Sequence, residues 1–449
     1  MFRRDRRLYD QRGTYTFTIP EGVTQIWAFV MGAGGGAHHG ESWNDGIIAG
    51  GAGGGYASGI ISGLTPGNTL TVTVGTGGKG EITGTHTVDG STVLNEIEPT
   101  AGGDSTVVGG STTYLLGEGG EKGIEKITSD VDGDFGEGKG GGGTAATNSV
   151  TDGYTAAGGG SGTTIVCADA IPNNEHETES RVAAGGGASG SPFGTGMNGG
   201  KCLMLENNEV AGGGGGWTQK DYQHLTSSQK VPELHYPPDF QQSGSLQSLC
   251  GYGSHHPPSN FFYNGQEEVY SNQWAGRGRT AQGGMGMTEL GYSEVGDGSG
   301  EGGSKWVQNY HIIMTSIHGE DANPNWWFPW EIDGGGGGSA IITTKPTMFG
   351  AGNGASGGGG GGISVSHDGN SGLHGSIIGG SGGFGGGGGG CMGALEHNES
   401  DYWDASMVFL GGRGGNGGGG GAVLAPQGGG GHYLGIGGEG GDGCVGLYW

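Results

Sequence analysis

The sequence predicts an all-β protein whose strands are joined by a bundle of polyproline-II-like glycine rods, and three observations lead there. Gly accounts for 119 of 449 residues and only 31% are hydrophobic, so a conventional core would be thin. The glycines fall in runs, at 334–338, 357–362, 385–390 and 417–421. Such runs make neither helices nor ordinary cores, because Gly loses the most backbone entropy on ordering and brings no apolar side chain. They fit either a flexible coil or packed rods of about three residues per turn, in which a Cβ at an inward position would block the neighbouring backbone. Real strands bracket the runs, which favours the rods. Collagen is excluded, since Pro is only 14 and no strict Gly-X-Y period runs through the chain.

Charge and cysteine usage narrow the class. The net charge is −26, from 44 acidic and 18 basic residues, which argues against a nucleic-acid surface and for a self-repelling, soluble protein. Five scattered cysteines (Cys167, Cys202, Cys250, Cys391, Cys444) show no CxxC and fit no zinc pattern. Buried free thiols are the default reading, with disulfides left open. MFRRDRRLYDQR at the start lacks the apolar stretch of a secretory signal, and no segment approaches the length of a transmembrane helix.

In chain order, residues 1–14 carry five of the 18 basic side chains, Arg3, Arg4, Arg6, Arg7 and Arg12. They read as a frayed terminus or as an attachment arm. YTFTIPEGVTQIWAFVM (15–31) reads as two strands around a PEG turn, the second apolar on both faces and therefore buried. A strand from Tyr56 to Ile61, an LTPGN turn and a strand from Thr69 to Val74 alternating Leu70, Val72 and Val74 follow. GGDSTVVGGSTTYLLGEGGEKG (102–123) adds two more. From 124 onward glycine runs alternate with inserts. Those at 217–282, 304–333 and 391–410 hold seven of the ten Trp, so the runs read as scaffold and the inserts as the recognisable chemistry.

The order aromatic–Pro–x–Gly–Val, apolar strand, GAGGG, GGYA, TPG, TVTVG, together with the closing GGDGCVGLYW, resembles the glycine-rich domain of bacteriophage tail fibres and fibre-tip adhesins. The likeness covers residues 15–449 in outline and is specific in 15–123 and at the C-terminal end. It implies a small N-terminal β-sandwich base (15–123) continuing into a polyglycine-II helix bundle with long tip loops (124–449). A closing strand at 443–449 would return to the base, and the tip loops would bind receptors on the bacterial surface.

Aromatic inserts on stiff rods suit a binding tip, since Trp and Tyr offer large stacking faces with a polar handle. The same rings can instead supply the core that the rods lack. The candidate receptor-binding residues are Trp217, Tyr236, Phe261, Phe262, Tyr263, Trp274, Trp306, Trp326, Trp327, Trp330, Tyr402 and Trp403, with NWWFPWEID (325–333) the strongest stretch. Arg3, Arg4, Arg6 and Arg7 are the candidate attachment residues. Asp130, Asp132 and Asp134 alternate as calcium ligands can, but Phe135 and Gly141 stand where an EF-hand needs Gly and Glu, so a solvated acidic loop is expected. His38–His39 and His255–His256 lack a second ligand pair and read as exposed loop histidines.

Dinucleotide and Walker fingerprints fail for want of a following helix and of Gly-Lys-Ser/Thr, and no nucleophile elbow has the helix it needs. With no enzyme fingerprint met, the resemblance implies a non-enzymatic virion protein without metal or cofactor. It would bind a saccharide or outer-membrane protein of a bacterial host and dock to a fibre shaft, baseplate or capsid. A homo-oligomer is compatible with this reading; nucleic-acid binding and membrane insertion are not. The alternative is a structural appendage or decoration subunit whose inserts contact neighbouring subunits.

Overall fold

The computed structural model describes residues 5–41, 46–88, 91–94, 97–123, 125–127, 138–160, 166–167, 181–192, 194–196, 198–199, 203–204, 209–211, 214–217, 287–288, 304–305, 340–342, 348–350, 353–354, 357–360, 362–367, 374–395, 406–425 and 432–449. These residues contain no helix, and every regular element among them is a strand. In chain order the strands are Arg6–Tyr9 (β1), Gly13–Thr18 (β2), Gln25–Met31 (β3), His39–Glu41 (β4), Gly46–Ile48 (β5), Tyr56–Ser62 (β6), Thr69–Val74 (β7), Ile82–Val88 (β8), Ser91–Leu94 (β9) and Ser105–Gly109 (β10). Thr112–Gly117 (β11), Glu125–Ile127 (β12), Gly143–Ala145 (β13), Val150–Ala156 (β14), Val166–Cys167 (β15), Arg181–Ala183 (β16), Leu203–Met204 (β17), Glu209–Ala211 (β18), Met287–Thr288 (β19) and Ser304–Lys305 (β20) follow. Ala340–Ile342 (β21), Met348–Gly350 (β22), Ile363–His367 (β23), His374–Ile378 (β24), Cys391–Leu395 (β25), Ser406–Leu410 (β26), Val423–Ala425 (β27), His432–Ile436 (β28) and Cys444–Tyr448 (β29) complete the series.

Two open five-stranded antiparallel sheets, ordered β1-β29-β3-β6-β14 and β13-β11-β10-β7-β2, share one hydrophobic cluster. Strand alternation explains it. On β7, Leu70, Val72 and Val74 are buried while Thr69 and Thr71 are exposed, and on β3 Ile26, Ala28 and Val30 face the same cluster. Trp27, Phe29 and Met31 point to the opposite face of β3, where Tyr56, Trp217, Ala188 and Tyr448 pack on them. Burial on both faces is why β3 reads as a continuous apolar run. Each such large side chain contributes about 1.5–3 kcal/mol.

Glycine runs leave these sheets and lead to a second set of strands. The stretch 32–38 joins β3 to β4, 75–81 joins β7 to β8, 49–55 joins β5 to β6, and 437–443 joins β28 to β29. Within the runs, successive residues bond to different neighbours. Gly34, Gly35 and Gly36 donate N–H to the carbonyls of Gly441, Ala52 and Thr100 at 2.9 Å each. Gly387, Gly388 and Gly389 donate to Gly215, Gly419 and Gly380 at 2.9, 2.9 and 2.8 Å. A β-strand uses only two opposed directions; here the donors turn through a third, so each run is held by several others. A Cβ built on Gly34, Gly388 or Gly420 would overlap the carbonyl of Gly418, Gly412 or Gly438 respectively. The exclusion of Cβ is not absolute: Ala33, Ala37, Ala52 and Ala422 are fully buried among the runs, so the packing takes a methyl at selected points.

At the margin, side chains replace the missing neighbour. Asp442 Oδ1 accepts the Gly77 N–H at 2.8 Å, Asp104 Oδ1 that of Gly119 at 2.9 Å, and Glu118 Oε2 that of Gly142 at 3.0 Å. Backbone N–H groups need partners, and carboxylates interspersed among the glycines supply them.

Beyond the runs lie mainly parallel sheets, one ordered β19-β20-β21-β23-β25-β27-β4 and another β22-β24-β26-β28-β8-β9. From β21 onward the chain repeats one circuit: an outgoing strand in the first sheet, a connection, a returning strand in the second, then glycine. The returning runs reverse through tight turns. Gly386 N–H bonds the Gly383 carbonyl (2.8 Å) and Gly418 N–H the Gly415 carbonyl (2.7 Å), with φ of 80° at Gly385 and 74° at Gly417. A positive φ at the third position of such a turn requires Gly.

Three boundaries differ from the sequence reading. The base, read as 15–123, also takes in β13 and β14, which pair with β11 and β6 of its two sheets. The segment 1–14, read as a separate arm, belongs to the base from Arg6 onward, because β1 pairs along β29 and Tyr9 is buried in the shared core. The insert read as 391–410 begins and ends in strands: Cys391–Leu395 and Ser406–Leu410 continue the two parallel sheets, with Cys391 and Phe409 fully buried.

Candidate functional site at the far end of the glycine runs

Strand direction defines the site. β4, β21, β23, β25 and β27 are mutually parallel and run away from the antiparallel sheets, while β22, β24, β26 and β28 are parallel and run back. β8 leaves antiparallel to the returning β28, and β5 and β16 return parallel to one another. The C-terminal ends of the outgoing strands and the N-terminal ends of the returning ones therefore gather at one end of the molecule. The chain positions that link them are 42–45, 89–90, 343–347, 368–373, 396–405 and 426–431, all outside the described residues.

The junction between glycine runs and this end is organised by Glu81, His38 and His39. The Glu81 carboxylate accepts the His39 backbone N–H at 2.9 Å and pairs with His38 Nδ1. His39, on β4, is 7% exposed, and its ring lies against Gly435 of β28, where a Cβ would collide with it. Burial lowers the His39 pKa to about 4; the Glu81 charge opposes that shift and His38 adds to it. His39 is thus a buried strand residue, in place of the exposed loop histidine expected, because β28 offers a glycine where its ring must sit. No three potential metal-ligating side chains converge among the described residues. Cys391 and Cys444 are free and wholly buried, and desolvation raises both thiol pKa values, so neither is a ready nucleophile.

Of the twelve aromatic candidates, only Trp217 is described. It is 1% exposed, its Nε1 donates to Ser189 Oγ at 2.9 Å, and Phe384 meets it edge-on at 5.8 Å. It sits beside the Phe384–Gly385 turn and the outer face of β3, at the near end of the runs, and its enclosed indole presents no face to a receptor. Tyr236, Phe261, Phe262, Tyr263, Trp274, Trp306, Trp326, Trp327, Trp330, Tyr402 and Trp403 lie outside the described residues, as do Arg3, Arg4 and the Asp130, Asp132 and Asp134 stretch. Placement of their anchors is informative. Trp217, from which the first insert departs, lies at the near end, whereas Leu395 and Ser406, the described residues that flank Tyr402 and Trp403 in sequence, lie at the far end. Arg6 and Arg7 lie on β1, with Arg7 over the Tyr9 ring at 5.0 Å.

A shallow groove of about 480 Å³ runs beside β2 and β7, lined by Thr14, Thr73, Lys79, Thr100 and Asp104. Two of its polar side chains are already committed, Thr100 Oγ1 to the Lys79 N–H (2.8 Å) and Asp104 Oδ1 to the Gly119 N–H (2.9 Å).

No curated protein matches the sequence. A family model described as a glycine-rich domain matches residues 10–325, well over half of the chain. Every strand of the two antiparallel sheets except β1 and β29 falls inside that match, as do the first glycine runs, and the chain belongs to the glycine-rich domain family.

Proposed function

We propose that this protein is a virion component, a tail-fibre or fibre-tip adhesin that binds a bacterial surface receptor without catalysis. In this reading the glycine runs are polyglycine-II helices. Their rotation of donors through three directions, and the carbonyls standing where a Cβ on Gly34, Gly388 or Gly420 would sit, support that assignment. The two antiparallel sheets are the β-sandwich base.

The observation that carries the proposal is the delivery of many chain connections to one end of a densely bonded lattice. A scaffold that loses little entropy on binding suits recognition by loops, and several weak contacts on one particle add up. The far-end connections are rich in carboxylates, among them Glu396, Glu399, Asp401 and Asp404, and across 42–45, 89–90, 343–347, 368–373, 396–405 and 426–431 hold Lys345 as their lone Lys or Arg. Such an end disfavours a strongly anionic receptor. Tyr402 and Trp403, which fall between β25 and β26 in sequence, are the aromatic candidates this reading favours, beside Trp326, Trp327 and Trp330.

The test is binding of labelled protein to a panel of bacterial cells, beside folded variants with Tyr402 and Trp403, or with Trp326, Trp327 and Trp330, changed to Ala. Saturable binding to one host, lost in either variant, is expected. Absence of binding to any cell, with normal incorporation into particles, would replace this reading with the structural subunit.

A further inference from the structure

We propose that the open edge of β1 docks an extended, acidic peptide segment of a partner protein, which joins the β1-β29-β3-β6-β14 sheet as a sixth strand. β1 is the outermost strand of that sheet. The register pairs Arg7 with Leu447 and Leu8 with Gly446, and the Trp449 N–H donates to the Asp5 carbonyl at 3.0 Å. In an antiparallel ladder, pairs that exchange hydrogen bonds alternate with pairs that do not. The bonded pairs are thus 5 with 449, 7 with 447 and 9 with 445. Leu8 falls between them, so its N–H and C=O point away from β29 toward the open side.

The side chains add direction. Leu8 is 36% exposed, one of two large hydrophobic residues so exposed among the described residues. Arg6 and Arg7 lie on β1 itself, and the sequence 1–14 holds five Arg against two Asp in a chain of net charge −26. That complementarity selects an acidic strand, since backbone pairing supplies affinity and flanking charges choose the partner. The other edge of the sheet, β14, carries a register shift and Asp152 at φ 53°, features that blunt strand addition. The edge strand β2 carries no charged residue to select a partner's sign. The virion reading supplies only the setting for this partner; the chemistry stands on the sheet edge.

The probe is a fluorescent eight-residue peptide alternating Glu and Val, with a Lys–Val peptide as its counterpart, titrated by anisotropy into the full chain. Binding of the Glu–Val peptide alone is expected, weakening as salt rises. Leu8→Pro removes an outward N–H while leaving the bonds to β29, and should weaken binding by about tenfold or more, as should Arg6→Glu with Arg7→Glu. Thermal unfolding checks that both variants fold. Hydrogen exchange on the unaltered protein should show the Leu8 amide protected by the peptide. Equal binding of both peptides overturns the proposal, as does Glu–Val binding unchanged in Leu8→Pro without protection of Leu8. Self-association that Leu8→Pro abolishes, without peptide uptake, would instead assign the edge to a second copy. None of these readouts involves a bacterial cell, so failure here and failure of the adhesin reading are separate results.

Discussion

Replacing Gly388 with Ala separates a packed glycine lattice from a flexible glycine linker, because the two give opposite signs. In a flexible run the substitution reduces the entropy of the unfolded chain and is neutral or stabilising by up to about 1 kcal/mol. In the lattice, Gly388 donates to the Gly419 carbonyl at 2.9 Å and accepts from the Gly186 N–H at 2.8 Å, while its added Cβ would overlap the carbonyl of Gly412. That obstacle is backbone, bonded in turn to other runs, and has no rotamer through which to yield. Overpacking costs about 1–3 kcal/mol. Stretching the two hydrogen bonds costs roughly 1 kcal/mol each. After the unfolded-state gain, the net loss is about 2–4 kcal/mol, a large share of the roughly 5–15 kcal/mol typical of a folded domain.

The assay is urea unfolding followed by tryptophan fluorescence, with Gly22→Ala as control. Gly22 has φ of 77° and nothing within 4 Å of a built Cβ, so only the left-handed backbone opposes the change, at about 1–2 kcal/mol. Gly388 is buried, with no left-handed φ, and its penalty is steric alone. A Gly388→Ala protein as stable as the parent, or more stable, would refute the lattice.

Three further outcomes are expected. The depressed His39 pKa, about 4 against the ordinary 6.5, means that the unfolded chain takes up a proton which the folded chain refuses. Stability is therefore full above pH 6.5 and falls as pH drops toward 4, by at most about 3 kcal/mol; urea midpoints across that window should flatten in His39→Gln. Asp442→Ala leaves the Gly77 N–H without its 2.8 Å acceptor and should cost about 1–3 kcal/mol, with faster exchange of that amide, whereas Asp442→Asn keeps an acceptor and most of the stability. Trp217→Ala empties a buried site against Phe384 and orphans the Ser189 hydroxyl, so thermal unfolding should report a loss of about 3–5 kcal/mol.

The sequence was legible where period and composition speak locally. Leu70, Val72 and Val74 alternate and are buried, and the two-sided apolar pattern of 26–31 matches a strand covered on both faces. It was illegible where the answer depends on which run meets which. Nothing near Trp217 says that Phe384 will turn beside it or that Ser189 will accept its N–H, so its ring reads equally as tip or core. Nothing near His39 announces Gly435, a residue remote in sequence that leaves room for the imidazole. Cys391 and Phe409 looked like insert residues because the parallel pairing that buries them is made across whole circuits of chain.

The same non-locality bears on what kind of binding surface this fold can carry. Its connections differ in length and composition, while the outgoing and returning strands beside them keep register with their neighbours, Ile363 with Cys391 and Cys391 with Val423. After β24 and β26, turns built on the positive-φ Gly385 and Gly417 reverse the chain at the near end. Loop entropy grows only slowly with length, and a connection anchored by two registered strands can lengthen at little cost to the fold. A lattice with almost no side chains is for that reason a tolerant carrier of side-chain chemistry: its bonds run between glycine backbones, and the carboxylates that complete them, Asp442, Asp104 and Glu118, lie within or beside the runs themselves.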